Sequence, residues 1–203
     1  MTTRHLPFPA PLGTLRATAT AEGIVGLWFT SGGADEDPAP GTAEVQLSDS
    51  GPPAARADRT DQADPAAVGH LDQLEAELRA YVEGRLRTFT VPRRPSGTAF
   101  QRQVWEALAT IHYGRTCSYA ALTEQLGYPI TAARALGQAN GQNPIAILIP
   151  CHRVVQRGGG LGGYGGGLER KAWLLAHERR HAPENEGPMD PAETWSGQLR
   201  LGM

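Results

Sequence analysis

At 203 residues, with 40% apolar and 20% charged side chains, the chain has the size and composition of an ordinary globular protein with one large or two small cores, and it holds no apolar run of the roughly 18 residues needed to span a membrane. The formal net charge of −2 excludes a uniformly basic protein. That total nevertheless hides a basic middle: Lys+Arg against Asp+Glu is 7 to 13 over residues 1–92, 11 to 4 over 93–180 and 1 to 4 over 181–203. Such a middle suits a polyanion partner, although solvated surface arginines would give the same count.

The N-terminal MTTRHLPFPAPLG lacks an apolar h-region and does not read as a secretion signal. Residues 12–29 alternate like a hairpin, with LGTLRATAT and IVGLWFT flanking Ala21-Glu22-Gly23. Residues 31–66 are rich in Gly, Pro, Ala and Asp without an apolar period and read as a flexible loop. Leu71, Leu74, Leu78, Tyr81 and Val82 mark one face of a helix that Gly84 closes. Phe89-Thr90-Val91 reads as a short strand, and Pro92, Pro95 and Gly97 as a linker.

Thr98 and Gln101 have capping-box spacing ahead of a helix carrying Phe100, Val104, Leu108 and Ile111. Ser118 is placed to cap a short helix, Tyr119 to Leu126, with Gly127 just beyond its end. Pro129 and Ile130 turn the chain, and Thr131 starts a second short helix, Ala132 to about Ala139. Helix, four-residue turn, helix is the helix-turn-helix shape, which plain helical packing also produces. The apolar run Ile145–Ile149 then ends in Pro150-Cys151-His152-Arg153-Val154-Val155. Residues 158–167 hold eight glycines in ten, and Leu168 to His177 form a last helix.

The expected fold is α/β. A small N-terminal α/β domain (1–92) carries an antiparallel sheet, one helix and the flexible loop 31–66. A mostly helical C-terminal domain (97–179) carries the helix-turn-helix, and a mobile tail occupies 180–203.

Cys117 and Cys151 form neither a CxxC pair nor a disulfide framework, consistent with a reducing cytoplasm. A lone cysteine is commonly inert core. Cys151, however, is followed at once by two potential cations, His152 and Arg153, and positive surroundings raise the thiolate fraction. In an extended chain His152 would point away from the sulfur, so it could act as base only through a bent backbone or a bridging water. Glu178 could orient His152, or be a solvated charge at a helix end.

PCHRVV (150–155) resembles the active-site signature of the O6-alkylguanine-DNA alkyltransferases, the methylated-DNA–protein-cysteine methyltransferases. GTAFQRQVW (97–105), GRTCSYAAL (114–122), AARALG (132–137), NGQNPIAILIPCHRVV (140–155) and GGLERKAWLLAHE (166–178) follow in that family's order and spacing. The resemblance implies single-turnover transfer of an alkyl group from guanine O6 in duplex DNA to Cys151, without a cofactor, and O4-alkylthymine as a minor substrate. It implies a Cys–water–His–Glu network of Cys151, His152 and Glu178, with Asn143 tying the helix-turn-helix to the active-site turn. Tyr119 would help rotate the target phosphate and donate toward guanine N3. Arg134 would fill the gap left by a flipped base, on a helix whose small residues Ala132, Ala133, Ala135 and Gly137 approach the minor groove.

The base pocket would consist of the Cys151 and Val154 carbonyls, Tyr164 and the backbone of Gly165. Gly165 stands where many members carry Ser, and His112 replaces a common proline. Residues 1–92 contain no Cys and only His5 and His70, so the zinc of some relatives is not expected. The resemblance implies a cytoplasmic monomer and leaves cooperative assembly along DNA open. A thiol hydrolase would explain Cys151 and His152 but not the helix-turn-helix, and a non-catalytic DNA-binding module would explain the basic middle but not PCHR.

Overall fold

A computed structural model describes residues 1–30 and 64–183. The N-terminal part is an antiparallel sheet of β1 (Thr2–Pro7), β2 (Thr14–Thr20) and β3 (Gly23–Phe29), in that spatial order. The predicted hairpin is the β2–β3 pair, in register from Thr20↔Gly23 to Leu15↔Phe29 with a bulge at Thr18/Ala19. Gly23, with φ 142°, starts β3 so close to Pro92 that a Cβ there would lie 2.5 Å from the Pro92 carbonyl oxygen. β1 was not expected, because of its six residues only Leu6 is buried and the alternation is too polar to notice.

Helix α1 (Pro65–Val82) lays Ala67, Leu71, Leu74, Leu78 and Tyr81 on the sheet. Asp64 accepts from the Ala66 N–H at 2.9 Å and Pro65 opens the helix, so residues 64–66, expected in the loop, cap and begin α1 instead. The rest of that loop, 31–63, lies outside the described residues.

The expected strand Phe89–Val91 does not form. The Glu77 carboxylate takes the Thr90 and Val91 N–H groups at 3.0 and 3.2 Å, removing the donors a ladder needs. Pairing comes two residues later, in a parallel bridge of Arg93 with Ile24, so the expected linker is partly tied to the sheet.

Helix α2 (Ala99–Ala109) opens with the predicted capping box: Gln101 N–H to Thr98 Oγ1 at 3.2 Å and Thr98 N–H to Gln101 Oε1 at 2.7 Å. Ser118 caps α3 (Tyr119–Gln125), and Gly127 follows with φ 73°. A 3₁₀ turn at Ile130–Ala132 leads into α4 (Ala133–Gly141), so the α-helix starts one residue later and runs two further than expected. Trp105 donates to the Ala139 carbonyl at 2.9 Å and ties α2 to α4.

A two-residue parallel ladder joins β4 (Cys117–Ser118) to β5 (Val154–Val155). Helix α5 (Leu168–His181) outruns its expected end at His177, and residues 180 and 181, assigned to the tail, are helical. His181 Nδ1 lies 2.9 Å from the His177 carbonyl and its ring covers Gly84, which holds the last turn in place. The remainder of the tail lies outside the described residues.

The chain thus combines an N-terminal sheet domain with a helical C-terminal domain, and one contiguous core runs through both, from Leu6 to Leu174. Among the described residues no helix is long and apolar enough to cross a membrane.

Candidate active site

The apolar run before Cys151 is not a strand. Ile145 makes a single bridge to Leu27 in β3, and the chain then turns, with Ile147 at φ 67°. A β-branched residue rarely accepts that conformation, which costs roughly 1–3 kcal/mol and persists only where its surroundings impose it. Asn143 imposes the turn from inside: its Oδ1 accepts from the Ile145 N–H at 3.0 Å and its Nδ2 donates to the Ile149 carbonyl at 2.8 Å.

The same Asn143 Nδ2 donates to Cys151 Sγ at 3.0 Å. Cys151 begins a 3₁₀ turn, Cys151–Arg153, and is 6% exposed. Burial pushes its thiol up. The Asn143 amide, the Lys171 ammonium and the backbone N–H groups of Cys151 and His152 pull the other way without fully offsetting it. In this setting the thiol needs a proton acceptor before it becomes a nucleophile.

The backbone is bent here, as a His152 base required, yet His152 turns its Nε2 to Glu178 Oε1 at 2.9 Å. The Glu178 carboxylate is almost wholly enclosed. Its Oε1 accepts from Tyr81 Oη at 2.7 Å, His152 Nε2 at 2.9 Å and Arg153 Nη2 at 2.9 Å. Its Oε2 accepts from Arg153 Nε at 2.9 Å and the Gly114 N–H at 3.1 Å. Gly114 is needed there: it has φ 74°, and a Cβ would come within 2.7 Å of Ala182 Cβ.

Burial alone would raise the Glu178 carboxyl, but His152 and Arg153 outweigh it and hold the group well below the carboxylate range. An ionised carboxylate only accepts, so His152 must carry its proton on Nε2. That leaves Nδ1 a lone-pair acceptor, and Nδ1 is buried with no hydrogen-bond partner among the described residues. Burial also pushes the His152 imidazole down despite Glu178, so it is neutral and available as a base.

Lys171 went unrecognised as a site residue. It is fully buried and donates to the Val154 carbonyl at 2.7 Å and the Gly163 carbonyl at 3.3 Å. Burial lowers it to about 8, partly opposed by Cys151. The signal was in α5: Lys171, Leu174, Leu175 and Glu178 form one buried stripe at helical spacing, and two ionisable groups on an apolar stripe call for a reason. Tyr81 and Arg153 were likewise missed as carboxylate partners.

Tyr119, at the start of α3, packs near Gly137 and Gly162, and both burial and Cys151 raise its phenol. The Tyr164 ring lies edge-on to His152 at 6.5 Å, with its hydroxyl buried and no hydrogen-bond partner for it among the described residues. The Val154 carbonyl already takes Lys171, and the Cys151 carbonyl takes the Val154 N–H and, at 3.5 Å, Asn140 Nδ2. Gly165 has room for a side chain, since a Cβ would meet the Gly141 carbonyl oxygen at an ordinary 3.8 Å. Arg134 and Ala135 are exposed on α4, with Ala132, Ala133 and Gly137 half-buried around them. The structure therefore unites Cys151, Asn143, His152 and Glu178, borders them with Tyr119 and Tyr164, and sets Arg134 on an outer surface.

Residues 99–180 match the family model described as the DNA-binding domain of 6-O-methylguanine DNA methyltransferase. The chain is 57% identical over 107 residues to a methylated-DNA–protein-cysteine methyltransferase of Mycolicibacterium paratuberculosis, covering 53% of this chain and 64%, just under two thirds, of that relative. It is 52% identical over 121 residues to the protein of that name from Mycobacterium bovis, covering 59% of this chain and 70% of that one. A solved structure of Mycobacterium tuberculosis OGT in complex with DNA superimposes with a TM-score of 0.67 at 35% identity, over 91% of this chain and 96% of that one.

Proposed function

Because the chain belongs to the 6-O-methylguanine DNA methyltransferase family, we propose that it repairs duplex DNA by moving an alkyl group from guanine O6 to Cys151. The observation that carries this reading is a buried sulfur held by Asn143 beside a neutral histidine whose other nitrogen is fixed on an ionised carboxylate.

The thiol proton passes to His152 Nδ1 through a bridging water, and the imidazolium that forms is stabilised by Glu178. The Cys151 thiolate attacks the alkyl carbon in line. The sulfur–carbon bond forms as the carbon–O6 bond breaks, and the electron pair leaves on guanine. Tyr119 donates toward guanine N3 as that charge develops, and the proton removed from the thiol finally resides on the base. The thioether is stable, so each molecule acts once. The carbonyls of Cys151 and Val154, the Gly165 N–H and the Tyr164 ring form the base pocket.

A stacked guanine cannot present O6 to the sulfur of the buried Cys151, so the nucleotide flips out of the duplex at a cost of roughly a few kcal/mol. Helices α3 and α4 act as a helix-turn-helix in the minor groove, and exposed Arg134 fills the vacated place in the stack. Incubation with duplex DNA carrying one radiolabelled O6-methylguanine, followed by peptide mapping, tests the reading. One label per molecule is expected on the peptide containing Cys151, and unlabelled protein beside an intact lesion would overturn it.

Arg134→Ala should slow repair of duplex DNA by about tenfold or more, since it removes a group that offsets the flipping cost. Reaction with free O6-methylguanine should change little, because no stack is opened. Equal losses on both substrates would remove Arg134 from the flipping step.

A further inference from the structure

Among the described residues, all but one of the donors to the Glu178 carboxylate come from the C-terminal helical domain: Gly114, His152 and Arg153. The exception is Tyr81, from the last turn of α1 in the N-terminal domain, 97 positions away in the chain. Its hydroxyl reaches Oε1 at 2.7 Å, the same oxygen that holds His152 Nε2. Tyr81 is fully buried. Its ring is pinned by Phe89 (centroids 5.4 Å apart), Tyr113 (5.9 Å) and His177 (5.4 Å), and its carbonyl meets His177 Nε2 at 2.8 Å. An apolar seam needs no hydroxyl. A phenol buried at that point and donating into an ion cluster acts on the charge of the cluster.

We propose that Tyr81 is a positioning residue for alkyl transfer: by donating to Glu178 Oε1 it shares the carboxylate's charge and limits the hold of that oxygen on the His152 proton, which makes the N-terminal domain a working part of the site. The inference rests on the function proposed above. Burial and Glu178 raise the Tyr81 phenol well above its ordinary value, so it is a donor throughout the working pH range. The ionisable groups acting on His152 are Glu178, Arg153 and Lys171, with the Cys151 thiol beside it; those acting on Tyr81 are Glu178, Arg153 and Tyr113, with the His177 ring in contact. Arg153 keeps its two bonds to Glu178 when Tyr81 loses its hydroxyl, so the charge freed on Oε1 falls to His152. The imidazole then becomes more basic and is already protonated over a wider acidic range, where it cannot accept from the thiol.

Single-turnover transfer rates of the full chain on O6-methylguanine duplex, measured from pH 5.5 to 9, test this. Tyr81→Phe should move the acidic limb of the profile upward by about half to one pH unit, slow transfer severalfold near pH 6, and leave the alkaline rate within about threefold of the parent. Phe89→Leu is the control, because it loosens the same seam without touching the carboxylate. It should lower the melting temperature and leave the limb where it was. If Tyr81→Phe scales the whole profile down uniformly, or Phe89→Leu moves the limb equally, Tyr81 is only packing and the inference falls. Should Tyr81→Phe not fold, 3-fluorotyrosine incorporated at position 81 keeps the shape with a more acidic, stronger donor. It should move the limb downward, and an unmoved limb would again overturn the inference. The parent protein separates the two ideas, since failure of its own transfer sinks the proposed function, whereas transfer with an unchanged Tyr81→Phe profile sinks only the role of Tyr81.

Discussion

Cys151→Ala should abolish alkyl transfer completely while leaving the fold and DNA affinity close to those of the parent. Removing one buried sulfur from a turn fixed by other groups costs on the order of 1 kcal/mol. Asn143 still bonds the Ile149 carbonyl and the Ile145 N–H, so the turn survives. DNA would meet α3, α4 and Arg134, none of which depends on the sulfur. Cys117 should not take over: it lies on β4 with its Sγ 3.5 Å from the Ser118 carbonyl, whereas the sulfur that Asn143 holds is that of Cys151. Transfer of radiolabel and a binding titration on the same duplex measure the two halves of the prediction. Label retained by the variant would place the chemistry on another atom.

Glu178→Gln should be the most destabilising single change at the site. It leaves the Arg153 guanidinium, 9% exposed, in the interior without its counter-charge, and turns an amide N–H toward groups that are themselves donors. Breaking a buried pair from one side costs about 3–5 kcal/mol, a large share of the stability of a domain this size. Transfer should fall as well, because His152 loses the anion that stabilises its protonated form. Urea unfolding gives the stability loss directly; a loss under about 1 kcal/mol would show that the cluster does not bear on stability.

The same variant carries a pH signature. Glu178 is held below its ordinary 4.5, so in the unfolded chain it takes up a proton first. Its contribution is therefore full above about pH 4.5 and is lost as pH falls below that. His152 is pushed below its ordinary 6.5, so the unfolded chain also binds that proton first and stability begins to fall below about pH 6.5. The parent should lose stability in both windows. The variant should have a shallower loss in the lower one, where Glu77, also held low by its hydrogen bonds, still contributes, and an identical slope below pH 4.5 would contradict the ion cluster.

Much of the fold was readable from local chemistry. The capping box at Thr98 and Gln101, the Ser118 cap, the glycines at 84 and 127 and the β2–β3 hairpin are rules that neighbouring residues satisfy among themselves. The failures are tertiary. Phe89–Val91 has strand composition, but Glu77, twelve to fourteen positions upstream, takes its donors. Strand β1 exists because β2 pairs with it, not because its own residues alternate. At the site, Cys151 was legible from the two potential cations that follow it, with His152 and Glu178 as candidate partners, and a resemblance then gave all three their roles. Tyr81 was legible only as core, since its helix face is apolar and nothing nearby in sequence reveals that its hydroxyl ends on Glu178. Lys171 was hidden by habit, since a lysine on a helix is usually read as solvated.

Both Lys171 and Glu178 belong to α5, the last helix in chain order among the described residues. A nascent chain that has emerged only as far as PCHRVV therefore displays its sulfur with no carboxylate to fix His152 and no ammonium beside it. On the function proposed above, a molecule spent in one transfer would gain its full activating cluster only when α5 is in place.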